Sequence, residues 1–405
     1  MPAIVEFPTL VQQALTEYGD LFATEPARQH FAEYLTGLFV AEHKTVSGIN
    51  REFAVTTDQS CLNRWITQVD WDAQGLNERR LASLQRAPST RYAAHGVIPI
   101  DNTLIDHDGK LITDVGWFWD HAEKRHLIAH DYLIANYVCP SGKHYPLEFR
   151  CFRKRDQCDA RGEPFHDHTD LCIELIDWVV DQQIPGAFTF DSYFTNAAVL
   201  NAIQSRGRSY VGDLKFNRKV VVAGQDWKVA EWAATIPATA RRRVTSGDRT
   251  QYAFTKTVRL PSVHHPVRLV VLWKEQADSR PAKILVTNRT WWEINRILRT
   301  YRQRWTGTEP FHRDGKQQLG MGECQLRSRE GQTRHLYLVF LAYSCIMVQL
   351  QQARAQEWAQ TRLMTVGEAC RAMLRETLGQ TLSWAVERAL EGWTMPQIKT
   401  HLALP

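Results

Sequence analysis

Two aspartates occur in sequence surroundings that suit metal-dependent chemistry. Asp101 interrupts the apolar run Val97–Leu104, and Asp191 directly follows the apolar run Gly186–Phe190. A carboxylate is costly to bury unless it is paired or binds a metal. Mg²⁺ prefers oxygen ligands and usually takes one or two protein carboxylates. The pair therefore predicts a site for a hard divalent cation; the alternative for each aspartate alone is a cap on the turn or helix that follows it.

A third carboxylate lies in the basic segment YRQRWTGTEPFHRDGKQQLG, which contains Tyr301, Arg304, Glu309 and Lys316. Arginine offers a bidentate fork, lysine a point charge and tyrosine a hydroxyl on an apolar body, and all three suit a phosphate backbone. Residues 296–334 hold nine Lys or Arg and four Asp or Glu, a surplus equal to the net charge of +5 of the whole chain. This segment is therefore expected to contact a polyanion, although any one of its cations could simply be solvated.

With IPIDNT around Asp101 and FDSYFTN around Asp191, the segment resembles the DDE transposases of bacterial insertion sequences. The resemblance is to the insertion-sequence 4 superfamily and its 701-type branch, whose third-carboxylate signature is Y-x2-R-x3-E-x6-K. It covers roughly residues 95–350, with 90 residues from Asp101 to Asp191 and 118 from Asp191 to Glu309. The longer interval matches a family whose catalytic fold carries a β insertion at that point.

The resemblance implies an RNase H-like (retroviral-integrase-like) α/β core in which Asp101, Asp191 and Glu309 are catalytic and hold two divalent ions. Mg²⁺ is the expected cofactor, and Mn²⁺ is expected to substitute for it. The implied reaction is strand cleavage at element ends followed by strand transfer into target DNA, by a homodimer on double-stranded DNA. Tyr301, Arg304 and Lys316 would hold phosphates near the scissile bond.

One spacing departs from that signature, because four residues rather than three separate Arg304 from Glu309. An extra residue rotates a continuous helix by about 100° and would take Glu309 off the face of Tyr301 and Arg304. Thr306, Gly307 and Pro310 therefore predict a break or bulge at residues 306–309. Alternatively, Thr306 to Glu309 is only a helix-capping box.

The remaining elements are expected to position these residues in five segments. We predict a helical DNA-binding domain at 1–92, the first part of the core at 93–218, a β-rich insertion at 219–288, the second part of the core at 289–350 and a helical C-terminal region at 351–405. The order of the core is expected to be βββαβαβ. Thr290–Glu293 and Thr365–Glu368 match capping boxes, and Gly379 and Gly392 are expected helix stops.

The N-terminal segment around VTTDQ resembles a helix-turn-helix in which Ser60 caps a helix that presents Arg64 to a major groove. The alternative is a helical bundle that reads no DNA. Lys215 and Arg218, after the last core strand, are further candidate DNA contacts.

Cysteine usage and hydropathy predict a reduced, cytoplasmic protein that associates with the nucleoid when bound to DNA. The longest apolar stretch, Leu336–Leu350, is too short for a bilayer span and predicts a buried helix, so no membrane partner is expected. The five residues Cys151, Cys158, His166, His168 and Cys172 include zinc-ligand types at a spacing that matches no known finger.

The function that these patterns favour is a cut-and-paste DDE transposase. Two alternatives stay open. One is a non-catalytic DNA-binding protein derived from such an enzyme, as the altered spacing before Glu309 allows, and the other is an RNase H-like nuclease without strand transfer.

Overall fold

The computed structural model describes residues 3–121, 123–246, 249–353 and 358–403. Its α-helices are α1 (Thr9–Tyr18), α2 (Glu25–Val40), α3 (Val46–Asn50), α4 (Gln59–Thr67), α5 (Ala73–Arg86), α6 (Arg155–Arg161), α7 (His168–Asp181), α8 (Ala197–Ser205), α9 (Val229–Ala234), α10 (Ile294–Gln318), α11 (Arg329–Gln349), α12 (Val366–Leu390) and α13 (Met395–His401). Its β-strands are β1 (Val97–Asp106), β2 (Gly116–Asp120), β3 (Arg125–Val138), β4 (His144–Phe152), β5 (Ala187–Phe190), β6 (Ser209–Asp213), β7 (Lys219–Val222), β8 (Gln225–Lys228), β9 (Arg242–Ser246), β10 (Arg249–Val258), β11 (Val267–Trp273) and β12 (Lys283–Thr287).

The chain divides into two compact units, and the division falls within β1, β3 and α10. Unit 1 comprises Met1–Arg91, Leu104–His130 and Phe311–Pro405, and unit 2 comprises Tyr92–Thr103 and Asp131–Pro310. The three candidate carboxylates, Asp101, Asp191 and Glu309, all belong to unit 2.

Unit 1 is mainly helical and is built around the apolar segment that the sequence predicts as a buried helix. That segment lies in α11, where most side chains are buried. Buried Arg80 of α5 donates to the Ser344 hydroxyl of α11 at 2.8 Å, which pairs these two buried polar side chains. Within the described ranges, no helix is long and apolar enough to cross a bilayer.

The expected helix-turn-helix region contains the short helices α3 and α4, but its cap differs from the prediction. Asp58, not Ser60, is the N-cap of α4, and its carboxylate accepts a hydrogen bond from the backbone N–H of Ser60 at 2.8 Å. An aspartate two positions earlier caps the helix at least as well as a serine. Arg64 lies on α4 with its side chain exposed.

Unit 2 is organised around a large mixed sheet. β4 pairs antiparallel with β3, β3 lies beside β1, and β1, β5 and β6 pair in parallel. The insertion continues the same sheet, because β12 pairs antiparallel with β6 and is followed outward by β11, β10 and β9. With its flanking helices, this sheet confirms the predicted mixed α/β class.

Strand β4 and the short helix α6 are absent from the predicted order βββαβαβ. Pro146 within β4 removes a hydrogen-bond donor, which makes the run a poor strand candidate by sequence. The β3–β4 ladder accommodates this proline with a shift in register between Ala135 and Asn136, where residue 147 has no partner. The order of the core is therefore ββββααβαβ.

Two of the helix signals were right and two were wrong. Thr365 and Glu368 form the predicted capping box of α12, and Gly392 follows the end of that helix with a positive φ. Gly379, however, lies inside α12. The signature at Thr290 does not start α10, which begins at Ile294 with the Glu293 carbonyl accepting from the N–H of Ile297.

Helix α10 is continuous through the segment where the sequence predicts a break or a capping box, so both expectations were wrong. It runs from Ile294 to Gln318 with Pro310 inside it. Gly307 has a packing role instead, since a Cβ atom at this position would lie 2.6 Å from Cγ2 of Val138 and 2.8 Å from Cγ of Pro99. The glycine therefore lets α10 approach β1 and β3 closely.

We predict that Gly307→Ala lowers the free energy of unfolding by about 1–3 kcal/mol, because the added methyl group overpacks this contact. Chemical denaturation of the purified protein measures the change. Gly379→Ala is the matched control: it lies inside a helix with no atom within 4 Å of its Cβ position. It should raise stability by up to about 1 kcal/mol through helix propensity. Equal effects of the two substitutions would show that Gly307 is not a packing glycine.

Candidate active site

The register of the central parallel strands places the two predicted aspartates side by side. Each β5 residue pairs with the β1 residue 90 positions earlier, as Ala187 does with Val97. Asp191 follows Asp101 by the same interval and stands one residue beyond the end of β5. Neighbouring strands are about 4.8 Å apart. The ladder, if continued, therefore sets the two carboxyl groups next to each other at the carboxyl end of β5.

Asp101 has a cationic partner on α10. Nη1 of Arg304 lies 2.8 Å from Oδ2 of Asp101, and the side chains are 7% and 22% exposed, respectively. Burial raises the pKa of Asp101 to about 6, while the charge of Arg304 lowers it and the charge of Asp191 raises it. The carboxylate pair is thus electrostatically coupled, and an arginine offsets part of its repulsion.

Asp191 is held by a local turn. Its Oδ1 accepts from the backbone N–H groups of Tyr193 at 2.8 Å and Phe194 at 3.3 Å, and its carbonyl accepts from the Thr195 hydroxyl at 2.7 Å. These bonds fix the carboxyl group, and Oδ2 takes no part in them. The turn-cap reading of Asp191 is therefore compatible with a metal-binding role.

A third aspartate of the same row, Asp213, was missed by the sequence reasoning. Each β6 residue pairs with the β5 residue 22 positions earlier, and Asp213 follows Asp191 by that interval. Strand alternation puts all three aspartates on the sheet face of Ala187 and Val211, which is the face that packs against α10. The signal was a strand-end aspartate in the predicted strand SYVGDLKF.

Asp213 belongs to a network that includes Tyr301, a predicted DNA contact. Oδ2 of Asp213 accepts from Nζ of Lys283 at 2.9 Å and from the Tyr301 hydroxyl at 3.3 Å, and Nζ of Lys283 also donates to that hydroxyl at 3.3 Å. Burial first, then the negative charge of Asp213, raises the pKa of Tyr301. The hydroxyl of Tyr301 is thus already engaged, and a phosphate contact would require it to exchange partners.

Glu309 differs from the two aspartates in its exposure. It is exposed, whereas Arg304 and Thr308 on the same helix are buried, and Thr308 occupies the position that the three-residue spacing would give to a glutamate. Among the described residues, no three His, Cys, Asp or Glu side chains are grouped closely enough to hold a metal ion. Because α10 is continuous, the extra residue between Arg304 and Glu309 rotates Glu309 by about 100° from the position that the signature gives to its glutamate.

The other predicted DNA contacts lie in both units. In unit 2, Lys215 and Arg218 line a cavity of about 550 Å³. Nζ of Lys215 lies 5.7 Å from the ring centre of exposed Tyr193, and Arg218 donates to the Thr195 carbonyl at 3.2 Å. In unit 1, Nζ of Lys316 donates to the Leu104 carbonyl at 2.8 Å. Arg64, also in unit 1, lies 3.2 Å from Sγ of Cys61.

The residues of the zinc alternative have other partners. His168 bonds to Asp131 at 2.7 Å, His166 bonds to Glu174, and Cys172 is fully buried in α7. Asp131 also accepts from Nδ2 of Asn102 at 2.9 Å, which gives a second polar cluster beside β1 that the sequence did not reveal. All eight cysteines are free thiols.

Asp101 and Asp191 fit a hard divalent cation. They supply carboxylate oxygens from two neighbouring strands, which is the donor type and number that Mg²⁺ usually takes from a protein. The cationic Arg304 at Oδ2 of Asp101 shows that this position already favours positive charge. A second ion would need a further carboxylate. Asp213 is the next aspartate of the row, and Glu309 is the carboxylate that the resemblance implies.

We predict that Asp101 titrates near pH 6 in the metal-free protein, well above an ordinary aspartate. Arg304→Gln should raise this pKa because it removes the cation that stabilises the carboxylate, and Asp191→Asn should lower it because it removes a like charge. Carboxyl ¹³C shifts of aspartate-labelled protein, assigned with Asp101→Asn, measure the midpoint. A midpoint near 4 that neither substitution moves would contradict the coupling.

Residues 17–277, well over half of the chain, match the family described as DDE superfamily endonuclease. The match includes Asp101 and Asp191 and ends before Glu309. The comparison with curated proteins gave no match. An endonuclease of this superfamily acts on DNA, and such nucleases generally use divalent metals. The chain belongs to the DDE superfamily endonuclease family.

Proposed function

We propose that this protein is a metal-dependent DNA transposase of the insertion-sequence 4 superfamily, 701-type branch, which cleaves DNA at element ends and joins the freed strand to target DNA. The observation that carries the proposal is the parallel register of β1 and β5 in a DDE-family chain, which sets Asp101 of β1 level with Asp191 directly after β5. Mg²⁺ is the proposed cofactor, and Mn²⁺ should replace it.

The sheet order supports an RNase H-like core. Strands β4, β3, β1, β5 and β6 lie side by side in that order, with an antiparallel pair on one side and parallel strands on the other. The first aspartate is in the central strand and the second follows its parallel neighbour. The insertion between β6 and α10 lies where the resemblance to these transposases places one.

The side chains of this site would divide the work of phosphodiester displacement. Asp101, Asp191 and Glu309 would hold two divalent ions, which requires Glu309 to turn towards the aspartates when DNA binds. The ions, when bound, activate the attacking oxygen and stabilise the leaving one. The turn around Asp191 and the close packing of α10 at Gly307 keep the ligands in place.

Basic side chains would hold the DNA. Lys215 and Arg218 would contact the backbone beside the site, and Tyr301, Arg304 and Lys316 would hold phosphates near the scissile bond. Arg64 on α4 would contact the element end. Because two ends must be cut together, we propose that the protein acts as a homodimer on double-stranded DNA.

The exposure of Glu309 favours one alternative, a DNA-binding protein that has lost catalysis. An RNase H-like nuclease without strand transfer is the other. Incubation of the protein with Mg²⁺ or Mn²⁺ and a labelled element end separates the three. Nicking followed by joined products supports the transposase, nicking alone supports the nuclease, and binding without nicking supports the binding protein.

We predict that Asp101→Asn and Asp191→Asn each reduce DNA cleavage by at least about 10³-fold, since loss of a metal-holding carboxylate removes several kcal/mol of transition-state stabilisation. Gel-shift affinity for the same DNA in EDTA should stay within a few-fold. Asp226→Asn, an exposed aspartate of β8, is the control and should cleave normally. Cleavage that survives both substitutions would remove the pair from the active site.

Glu309→Gln should abolish cleavage in the same assay if Glu309 supplies the third carboxylate. Asp213→Asn should then change the rate only modestly, because Asp213 is already paired with Lys283. The reverse result, with Glu309→Gln fully active and Asp213→Asn inactive, would assign the third position to the row of aspartates instead.

Lys215→Gln and Arg218→Gln should each weaken binding of unrelated DNA sequences alike and reduce the slope of log affinity against log salt by about 1. Fluorescence anisotropy at several salt concentrations gives the slope. Lys274→Gln, an exposed lysine of unit 2 outside the cavity, is the control. If all three variants keep the wild-type slope, the cavity lined by Lys215 and Arg218 does not bind the DNA backbone.

A further inference from the structure

Arg304 is hydrogen-bonded to a carboxylate oxygen of Asp101 that a bound metal ion would need. Its Nη1 donates to Oδ2 of Asp101 at 2.8 Å, and the arginine is only 5% exposed. A carboxylate oxygen bound directly to a divalent cation would bring that cation within a few ångströms of the guanidinium. Two positive groups so close in a partly buried site repel each other strongly.

The guanidinium also has donor capacity that its present position does not use. Nε of Arg304 is buried and has no hydrogen-bond partner among the described residues. An unpaired buried donor costs free energy. Arg304 therefore gains little from Asp101 beyond one charged hydrogen bond, and a ligand that engages Nε and an Nη atom together would bind it better.

An exposed aromatic ring covers the guanidinium. Cζ of Arg304 lies 4.2 Å from the ring centre of Trp305, whose side chain is 47% exposed on the same helix. The guanidinium thus lies between a carboxylate and an indole that faces solvent. A change in the rotamer of one side chain would bring the guanidinium to a ligand at that surface.

We propose that Arg304 is a resident counter-ion of Asp101, which a divalent cation displaces and a DNA phosphate then receives, so that metal and DNA bind cooperatively. This proposal rests on the proposed function of Asp101 and Asp191 as metal ligands. A phosphodiester suits the displaced side chain because it accepts two parallel N–H bonds from a guanidinium. Reciprocity then requires that DNA raise the affinity for metal by the same factor by which metal raises the affinity for DNA.

Two replacements of Arg304 separate the effect of its charge from the effect of losing its side chain, because lysine keeps the positive charge and glutamine removes it. Arg304→Gln removes the competing cation, so the metal-free site should bind Mn²⁺ about tenfold more tightly or better, a factor that corresponds to about 1.4 kcal/mol. Arg304→Lys keeps a cation beside Asp101 and should bind Mn²⁺ as weakly as the wild type. Arg299→Gln, an exposed arginine of α10, controls for the change in net charge.

Mn²⁺ binding to the full chain is measured by the electron paramagnetic resonance signal of free Mn²⁺, with and without a short DNA duplex of arbitrary sequence. We expect DNA to raise the Mn²⁺ affinity of the wild type and of Arg299→Gln, and to leave that of Arg304→Gln unchanged. The double variant Asp101→Asn/Arg304→Gln should lose the increase in Mn²⁺ affinity that Arg304→Gln shows. This loss would place the effect at Asp101. Circular dichroism confirms that each variant is folded.

Two results would overturn the proposal, and they can be distinguished. If Asp191→Asn weakens Mn²⁺ binding while Arg304→Gln binds no more tightly than the wild type, the metal site stands and the exchange of Arg304 does not. If neither the wild type nor Arg304→Gln binds Mn²⁺, with or without DNA, the proposed function fails together with it.

Discussion

Two carboxyl groups held side by side at a partly buried strand end repel each other when both are charged, so a nearby cation stabilises them. In this protein the parallel register of β1 and β5, continued to the end of β5, sets Asp101 and Asp191 in that position. In the metal-free protein, Arg304 and two backbone N–H groups supply part of the compensation. Burial is the main cause that raises the pKa of Asp101, and the charge of Asp191 raises it further. A divalent cation fits the same need, and this constraint links the fold to metal-dependent chemistry.

Helix α10 supplies the side chains that contact the row of aspartates. It carries Arg304 to Asp101 and Tyr301 to the Asp213–Lys283 pair, and Gly307 lets it lie close against β1. The negative charges of the three aspartates thus have different partners. Asp101 is paired with a buried arginine, Asp191 accepts from backbone N–H groups of a turn, and Asp213 is paired with a half-buried lysine. Such differences let one sheet edge contain both the proposed metal-binding pair and a third carboxylate that is paired with a lysine.

The aspartate-bearing segments and most of the strands were predictable, because apolar runs interrupted or followed by one carboxylate are conspicuous. The order of the strands in the sheet was not, because β1 pairs with β5 across three strands and two helices of intervening chain. The path of α10 was not. Thr306, Gly307 and Pro310 are local signals for a helix break, but the glycine is used for close packing, and a sequence does not show what lies against it. Asp213 was missed for a similar reason, since the offset of 22 residues that aligns it with Asp191 is a property of the ladder. Strand β4 was missed because a proline was tolerated at a register shift.

The location of a bound metal ion tests the central claim most directly. Crystals of the protein with Mn²⁺ and DNA, measured at the manganese absorption edge, would give an anomalous peak. Our account predicts this peak between the carboxylates of Asp101 and Asp191, with Arg304 turned away to a phosphate. A peak at any other position, with Arg304 still bonded to Asp101, would contradict it.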